Sequence, residues 1–349
     1  MRHRLLKRFR ALTLLVRSLL SLVSCSHSPY DYDLGEYIKL GDYVRISVTA
    51  DSAAKLMEEY KQTLLNTHAT LSPPITNRPL KMGDIAVINY KCYTEESMVM
   101  PIGDNPIPSV MENTECHVIL GRGKYPVQIE NAILSSGVSG TPIEVRITLP
   151  SDYGISSLAG KNVIYIITVT TAYELQFPEF NDSFVAEHTP YSTVKEYELA
   201  TTEQAYYDLI WNELIETTEV ISYPYDELNE HTLDFIEYYT NLATSEESTL
   251  EAYLKNNFFI DLATFHIKAD EFAKAYTKEE MMVYRLARSN QIEVSDTEYA
   301  KRAEKYVTSH KYSSLSELER DFPPSFIKYS ILKDKVKEFV AANSFTEWE

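Results

Sequence analysis

Three cysteines, eight histidines and a glycine-rich turn ending in lysine are the features of this 349-residue sequence that could do chemistry. Gly121-Arg122-Gly123-Lys124 has the glycines and the lysine of a phosphate-cradling loop. It lacks that loop's spacing and the Ser or Thr that should follow the lysine. The histidines are scattered, with no pair at metal-ligand spacing, so no metal site is expected. Ser139 lies near Gly137 and Gly140 but outside the Gly-x-Ser-x-Gly frame of a nucleophile elbow. Cys92 and Cys116 fall in predicted strands, where buried thiols are expected and a disulfide between them is the alternative. Tyrosine is in excess, at 26 residues. Its apolar body and polar tip suit either half-exposed helix and strand faces or a sticky amphipathic surface. Binding through apolar and aromatic surface is what remains, and no cofactor, metal or nucleotide is expected.

Such surfaces need a folded body to hold them. The hydrophobic content of 44% and charged content of 24% are those of an ordinary globular chain. Only ten glycines argue against a loop-dominated all-β protein. A short alternating strand is predicted at Tyr43–Thr49, then a helix capped by Asp51 and running to about Asn66. The prolines from Pro73 to Pro79 mark a boundary. Strands are predicted at Asp84–Tyr93, Cys116–Leu120, Ile143–Leu149 and Asn162–Thr171, with a short helix at Gln128–Ser135. From Phe177 the pattern is helical, over 193–219, 224–244, 247–255, 261–290, 295–309, 315–321 and 325–342. Ser295 and Ser314, each followed three residues later by Glu, fit capping boxes, and Pro224 and Pro323-Pro324 sit at helix breaks.

Charge is uneven. The first 24 residues hold Arg2, Arg4, Lys7, Arg8, Arg10 and Arg17 and no acid, so without them the net charge moves from −18 to −24. A body this acidic repels phosphate backbones, which excludes nucleic acid and makes ribosomal RNA a poor partner. The basic start, the apolar Ala11–Val16 and the small or apolar Ser18–Ser24 have the layout of a secretory signal, interrupted by Arg17. Leu22-Val23-Ser24-Cys25 resembles the bacterial lipobox. That resemblance implies lipidation of Cys25, which would become the new amino terminus and hold the protein on the membrane. The other reading is a cytosolic amphipathic helix in which Cys25 is incidental.

Four stretches in Lys81–Glu174 resemble an FKBP-type prolyl isomerase domain of the trigger factor family. They are Met82–Tyr90, Val118–Gly123 continuing through Ile129–Ile133, Leu149–Tyr153 and Leu158–Val163. Phe177–Val185 resembles the link by which that family leaves this domain, and the helical remainder resembles its chaperone body. The family's ribosome-docking signature has no counterpart, and residues 30–78 stand in its place; their Tyr- and Asp-rich run is similar to exported, clostridial-type relatives. The resemblance implies an α+β fold, with an FKBP-like antiparallel sheet domain joined to an elongated all-α chaperone domain. The expected divisions are 1–24 signal peptide, 25–78 amino-terminal segment and linker, 79–175 isomerase-like domain and 176–349 chaperone domain. It also implies a folding factor that binds unfolded exported polypeptides at the extracytoplasmic face of the membrane.

The same resemblance maps a prolyl pocket onto Tyr90, Cys116, Tyr125, Ile129, Tyr153 and Tyr165. Prolyl isomerisation crosses a barrier near 20 kcal/mol without covalent catalysis, so the pocket itself must favour the twisted amide. Here Cys116 and Ile129 replace aromatic walls, and Pro126 falls where the family donates a backbone N–H, which proline lacks. Weak or absent isomerase activity is expected, against a working isomerase with a broad aliphatic pocket. In the helical body Phe235, Tyr239, Phe258, Phe259, Phe265 and Phe272 are the candidate client-binding residues, although apolar residues at helical spacing are usually core. The rival function is a surface lipoprotein that binds one defined partner.

Overall fold

The computed structural model describes residues 30–99, 109–309 and 312–346. The predicted lipidation site Cys25 lies outside them. In chain order the helices are α1 (Ala50–Thr67), α2 (Glu95–Val99), α3 (Val127–Ser136), α4 (Asp182–His188), α5 (Val194–Thr217) and α6 (Tyr225–Ser245). They continue with α7 (Leu250–Phe258), α8 (Leu262–Ser289), α9 (Asp296–Ser309), α10 (Leu315–Asp321) and α11 (Pro324–Ala342). The longer strands are β1 (Ile85–Thr94), β2 (Met111–Ile119), β3 (Ile143–Thr148) and β4 (Asn162–Tyr173). An antiparallel sheet beside a helical body makes the chain α+β. By contacts it forms two compact units that interleave in sequence. One comprises Ala69–Phe177 and Tyr239–Lys268; the other comprises the described parts of Met1–His68, Pro178–Tyr238 and Ala269–Glu349.

The sheet unit has strand order β2-β1-β4-β3, antiparallel throughout. The central strands are rich in Ile, Val and Tyr, as a pleated and buried surface favours. Ile88, Tyr90 and Cys92 of β1 share one face with Val163, Tyr165 and Ile167 of β4, and Ile129 and Ile133 of α3 complete that core. β2 begins at Met111, five residues before the expected Cys116, because its polar Glu112–Glu115 stretch hides it in the sequence. As an edge strand it tolerates those side chains, and Glu115 takes a positive φ of 54° where its register against β1 shifts. Thr70–Leu71 pairs with Leu175–Gln176 and closes the chain's entry to this region against its exit. α7 packs on β2. Where β1 opens, the fully buried carboxylate of Asp84 accepts two bonds from the Arg78 guanidinium, at 2.7 and 2.8 Å, and a third from the Lys81 N–H at 2.9 Å.

In the helical unit α1 and α11 both pack on α5, around Ile210, Trp211, Leu214, Met281, Met282, Val336 and Val340. The amino-terminal segment is part of this core. Tyr30 is buried and its hydroxyl donates to Glu280 at 2.9 Å, beside His231 Nε2 at 2.8 Å from the same oxygen. Ile38–Lys39 adds a short ladder to Glu219–Val220. The strand expected over Tyr43–Thr49 is only Ser47–Val48, paired in parallel with Phe345–Thr346. Thr49, not Asp51, caps α1, its hydroxyl accepting from the Ser52 N–H. β-Region backbone at Thr49 leaves Asp51 already inside the first turn. A smaller core of Val294, Ala303, Val307, Leu318, Ile327 and Ile331 joins α9, α10 and α11.

Asp84 supplies a test of the sheet unit. Burial raises the Asp84 pKa, but the Arg78 charge and the bonds it receives outweigh burial and hold the carboxyl below its usual range. A depressed folded pKa means that the stabilisation is present above the unfolded value of about 3.9 and is lost as pH falls through the folded one. Asp84→Ala should lower the unfolding free energy at neutral pH by about 2 kcal/mol. Urea titrations from pH 6 down to pH 2 should show the gap to wild type closing. A gap that persists at pH 2 would mean that the carboxylate is not its source.

Candidate functional site

The six residues mapped onto a prolyl pocket come from five separate pieces of the sheet unit, and the fold brings all six into one apolar cluster. Tyr90 lies on β1 and Tyr165 on β4, diagonal neighbours in the ladder because Tyr165 pairs with Cys92. Their ring centroids are 5.7 Å apart. Tyr125, in the turn before α3, meets Tyr90 edge-on at 6.2 Å. Ile129 sits in the first turn of α3, fully buried. Cys116 of β2 pairs with Ile88, four residues from Cys92 along β1. At strand rise that is about 13 Å, beyond disulfide reach, and both cysteines are thiols. Tyr153 comes from the loop between β3 and β4, its hydroxyl 4.0 Å from Met111 Sδ.

Hydroxyls and thiols are the polar groups that these side chains bring to the cluster, and next to Ile129 on α3 the buried carboxylate of Glu130 accepts from the Gly121 N–H at 2.8 Å. Burial raises the pKa of Tyr90, Tyr125, Tyr153 and Tyr165. It pushes the Cys92 thiol up to about 12, against a hydrogen bond from Tyr165 that works the other way. Tyr165 is also bonded to Tyr153, and Tyr125 to Cys116. Among the described residues the Tyr90 hydroxyl is buried without a partner. Pro126 is the residue before α3, with its carbonyl accepting from Ile129 N–H at 2.9 Å, and has no N–H to offer a substrate. Such a cluster can hold an apolar ring in a dry environment and donate one or two weak hydrogen bonds. Among the described residues no group of three His, Cys, Asp or Glu could hold a metal ion.

No family model matches the chain. A trigger factor from Acetivibrio thermocellus is 25% identical over 329 residues, covering 90% of this chain and 73% of that protein. One from Clostridium kluyveri is 21% identical over 325 residues, covering 88% and 72%. The chain is trigger factor-like over most of its length. A trigger factor from Rippkaea orientalis is 29% identical over 167 residues, 47% of this chain, and the match spans about a third, 36%, of that relative's length. A solved trigger factor chaperone, from work on promiscuous substrate recognition in folding and assembly, is 17% identical over 88% of this chain and 73% of its own. Its TM-score of 0.32 is too low to bear on the arrangement.

In this trigger factor-like chain the six candidate client-binding residues are not a solvent-facing set. Phe265 and Phe235 are core. Phe235 packs on Phe272 at 4.8 Å, and Tyr239 packs edge-on against Phe258 and Phe265 at 5.7 and 5.4 Å. Aromatic side chains at helical spacing meet one another because edge-to-face pairs gain both area and electrostatics. Solvent instead sees Leu199, Tyr225, Leu233 and Ile267, each more than half exposed. Phe259 behaves differently from the other five. Its ring joins the pocket cluster, 5.2 Å from Tyr125 at 72°. A Phe-Phe pair just before Asp261 was the available signal, and periodicity alone places both rings on the helical body.

The partnerless Tyr90 hydroxyl makes a direct prediction. Tyr90→Phe removes an oxygen that is desolvated without compensation, so stability should rise by about 1 kcal/mol. Thermal unfolding of the two proteins measures this. A loss of similar size would mean that the hydroxyl is bonded in solution.

Proposed function

We propose that the chain is an extracytoplasmic, lipid-anchored folding factor of trigger factor type. It holds unfolded exported polypeptides at the membrane surface, with peptidyl-prolyl isomerase activity weak or lost. The single observation that carries the chaperone reading is similarity to trigger factors over 90% of the chain. The reading of a weakened isomerase rests on the pocket: aromatic walls give way at Cys116 and Ile129, and Pro126 removes the expected N–H donor. Residues 79–175 act as the isomerase-like domain and 176–349 supply the chaperone body. Clients touch exposed apolar side chains such as Leu199, Leu233 and Ile267. These single contacts are weak enough to exchange, which suits a holdase whose client must leave to fold. The lipobox-like Leu22–Cys25 behind a basic, acid-free leader supports the lipid anchor, and a body of net charge −24 is the support for a function away from ribosomal RNA. Among the described residues no helix is long and apolar enough to cross a membrane.

Refolding of a proline-limited client with and without the purified chain tests the reading. The expected result is an unchanged slow phase together with reduced aggregation. Catalytic acceleration of the slow phase would show a working isomerase and overturn the loss of activity. If neither the slow phase nor aggregation changes, a lipoprotein dedicated to one partner becomes the better account. Localisation is checked separately. Cys25→Ser should move the protein from the membrane fraction to the soluble fraction of a Gram-positive host, and retention on the membrane would rule out the thioether-linked anchor.

A further inference from the structure

α7 does not end as helices of its kind usually do. Its C-cap residue is Phe259, with φ 58° and ψ 37°. That left-handed conformation suits glycine and is disfavoured for a bulky side chain. The reversal sends two adjacent rings in different directions. Phe258 stays among the helices with Tyr239 and Tyr253, while Phe259 crosses to Tyr125, with Lys124 Nζ 6.0 Å from its ring centroid. Two residues on, Asp261 fastens to the loop between β3 and β4. Its N–H donates to the Gly154 carbonyl at 2.9 Å, and its Oδ2 accepts from the Ser156 N–H at 2.8 Å. Its Oδ1 accepts from the Thr264 N–H and caps α8. Gly154 is required, since a Cβ there would lie 2.7 Å from both the Phe259 carbonyl oxygen and Ile260 Cγ2.

A ring set edge-on against Tyr125, a main-chain bond and a charge-assisted carboxylate bond within three residues are together the contacts that a short bound peptide makes. The chain accepts left-handed strain at Phe259 to make them. The Phe259 ring is half-buried at the edge of the same cluster that contains Tyr90 and Tyr165. The backbone hydrogen bond from Thr264 is the largest of several that hold the Asp261 carboxyl well below the usual carboxylate range.

We infer that the cleft between Tyr125 and the Gly154–Ser156 loop is a peptide-binding site that its own Phe259 and Asp261 occupy. Its ligand is a polypeptide segment with an aromatic side chain followed two residues later by a carboxylate. The assignment rests on the proposal that the isomerase-like unit receives unfolded polypeptide. A client segment with that pattern displaces the internal one, so the site is held shut until client is abundant, and client preference is written in the chain's own occupant.

The test uses the purified full chain and a fluorescein-labelled peptide spanning residues 254–263, followed by polarisation. Wild type should bind weakly. Phe259→Ala, which vacates the cleft, should bind at least tenfold tighter, and a peptide with alanine in place of its second phenylalanine should lose that gain. Near-UV circular dichroism confirms that the variant is folded. If Phe259→Ala does not fold, Asp261→Asn serves instead: asparagine keeps the α8 cap but weakens the bond to Ser156, and several-fold tighter peptide binding is expected. A folded variant that binds no tighter than wild type, or equally to both peptides, overturns the inference. Aggregation suppression measured on the same samples separates the two ideas. Suppression without peptide binding sinks only the cleft assignment, whereas absent suppression in wild type sinks the folding-factor reading whatever the peptide does.

Discussion

A tyrosine that enters a core loses least when a hydrogen-bond partner goes with it, and in the helical unit of this chain six tyrosines find a carboxylate. With 51 Asp and Glu against 33 Lys and Arg, at least 18 carboxylates have no cation to pair with. In the helical unit tyrosine hydroxyls take that role. Tyr30 donates to Glu280, Tyr32 to Glu227, Tyr60 to Asp208, Tyr207 to Glu203, Tyr299 to Glu319 and Tyr306 to Asp334. Several of these join elements far apart in sequence: Tyr30 and Glu280 are 250 residues apart, Tyr60 and Asp208 148. Each bond to an ionised acceptor contributes more than a neutral one, roughly 1.5–3 kcal/mol where water is excluded. Desolvation and the adjacent carboxylate both keep the phenol protonated, so that Tyr207 is pushed up to about 12. The acid excess and the tyrosine excess are thus one feature of the sequence rather than two.

The four clustered tyrosines of the sheet unit turn to other groups. Tyr165 is bonded to Tyr153 and Cys92, Tyr125 to Cys116, Tyr153 lies 4.0 Å from Met111 Sδ, and Tyr125 also packs on the Phe259 ring. Among the described residues the Tyr90 hydroxyl has no partner. An unpaired buried donor is expensive in a purely structural core. The contrast is one of degree, since among the described residues the Tyr329 hydroxyl of the helical unit is also buried without a partner.

Most elements were legible because their signals are local. The helices over 193–219, 261–290 and 315–321 correspond to α5, α8 and α10 within two residues at either end, fixed by Thr193 and Ser314 caps and by apolar spacing. Ser314 caps through its hydroxyl, but Glu317 returns its bond to the Ser313 N–H rather than to Ser314, a one-residue shift that no motif would reveal. The strands of the sheet were equally plain where alternation is apolar and obscure where it is not. β2 shows only its inner half, since an edge strand can be polar without penalty. Less legible was the company each segment keeps. Nothing local says that Tyr30 belongs with Glu280, or that Tyr239–Lys268 folds against strands a hundred residues earlier, because these choices are made by long-range burial.

The pocket shows the same limit more sharply. Six residues named from a motif do converge, because each is placed by an element whose register the motif itself implies. The seventh member, Phe259, is invisible to such reasoning. Phe258 and Phe259 are the same residue type at successive positions, and a helical projection gives neither any reason to leave the bundle. What separates them is a backbone handedness that phenylalanine disfavours, adopted because the following Asp261 finds two main-chain partners on the Pro150–Gly160 loop. Handedness at one residue is determined by contacts two residues later and a hundred residues earlier. Propensity argues against it, so only tertiary context can select it. Where a chain overrides its own local preference this openly, the compensating contact marks a place whose geometry matters more than its stability.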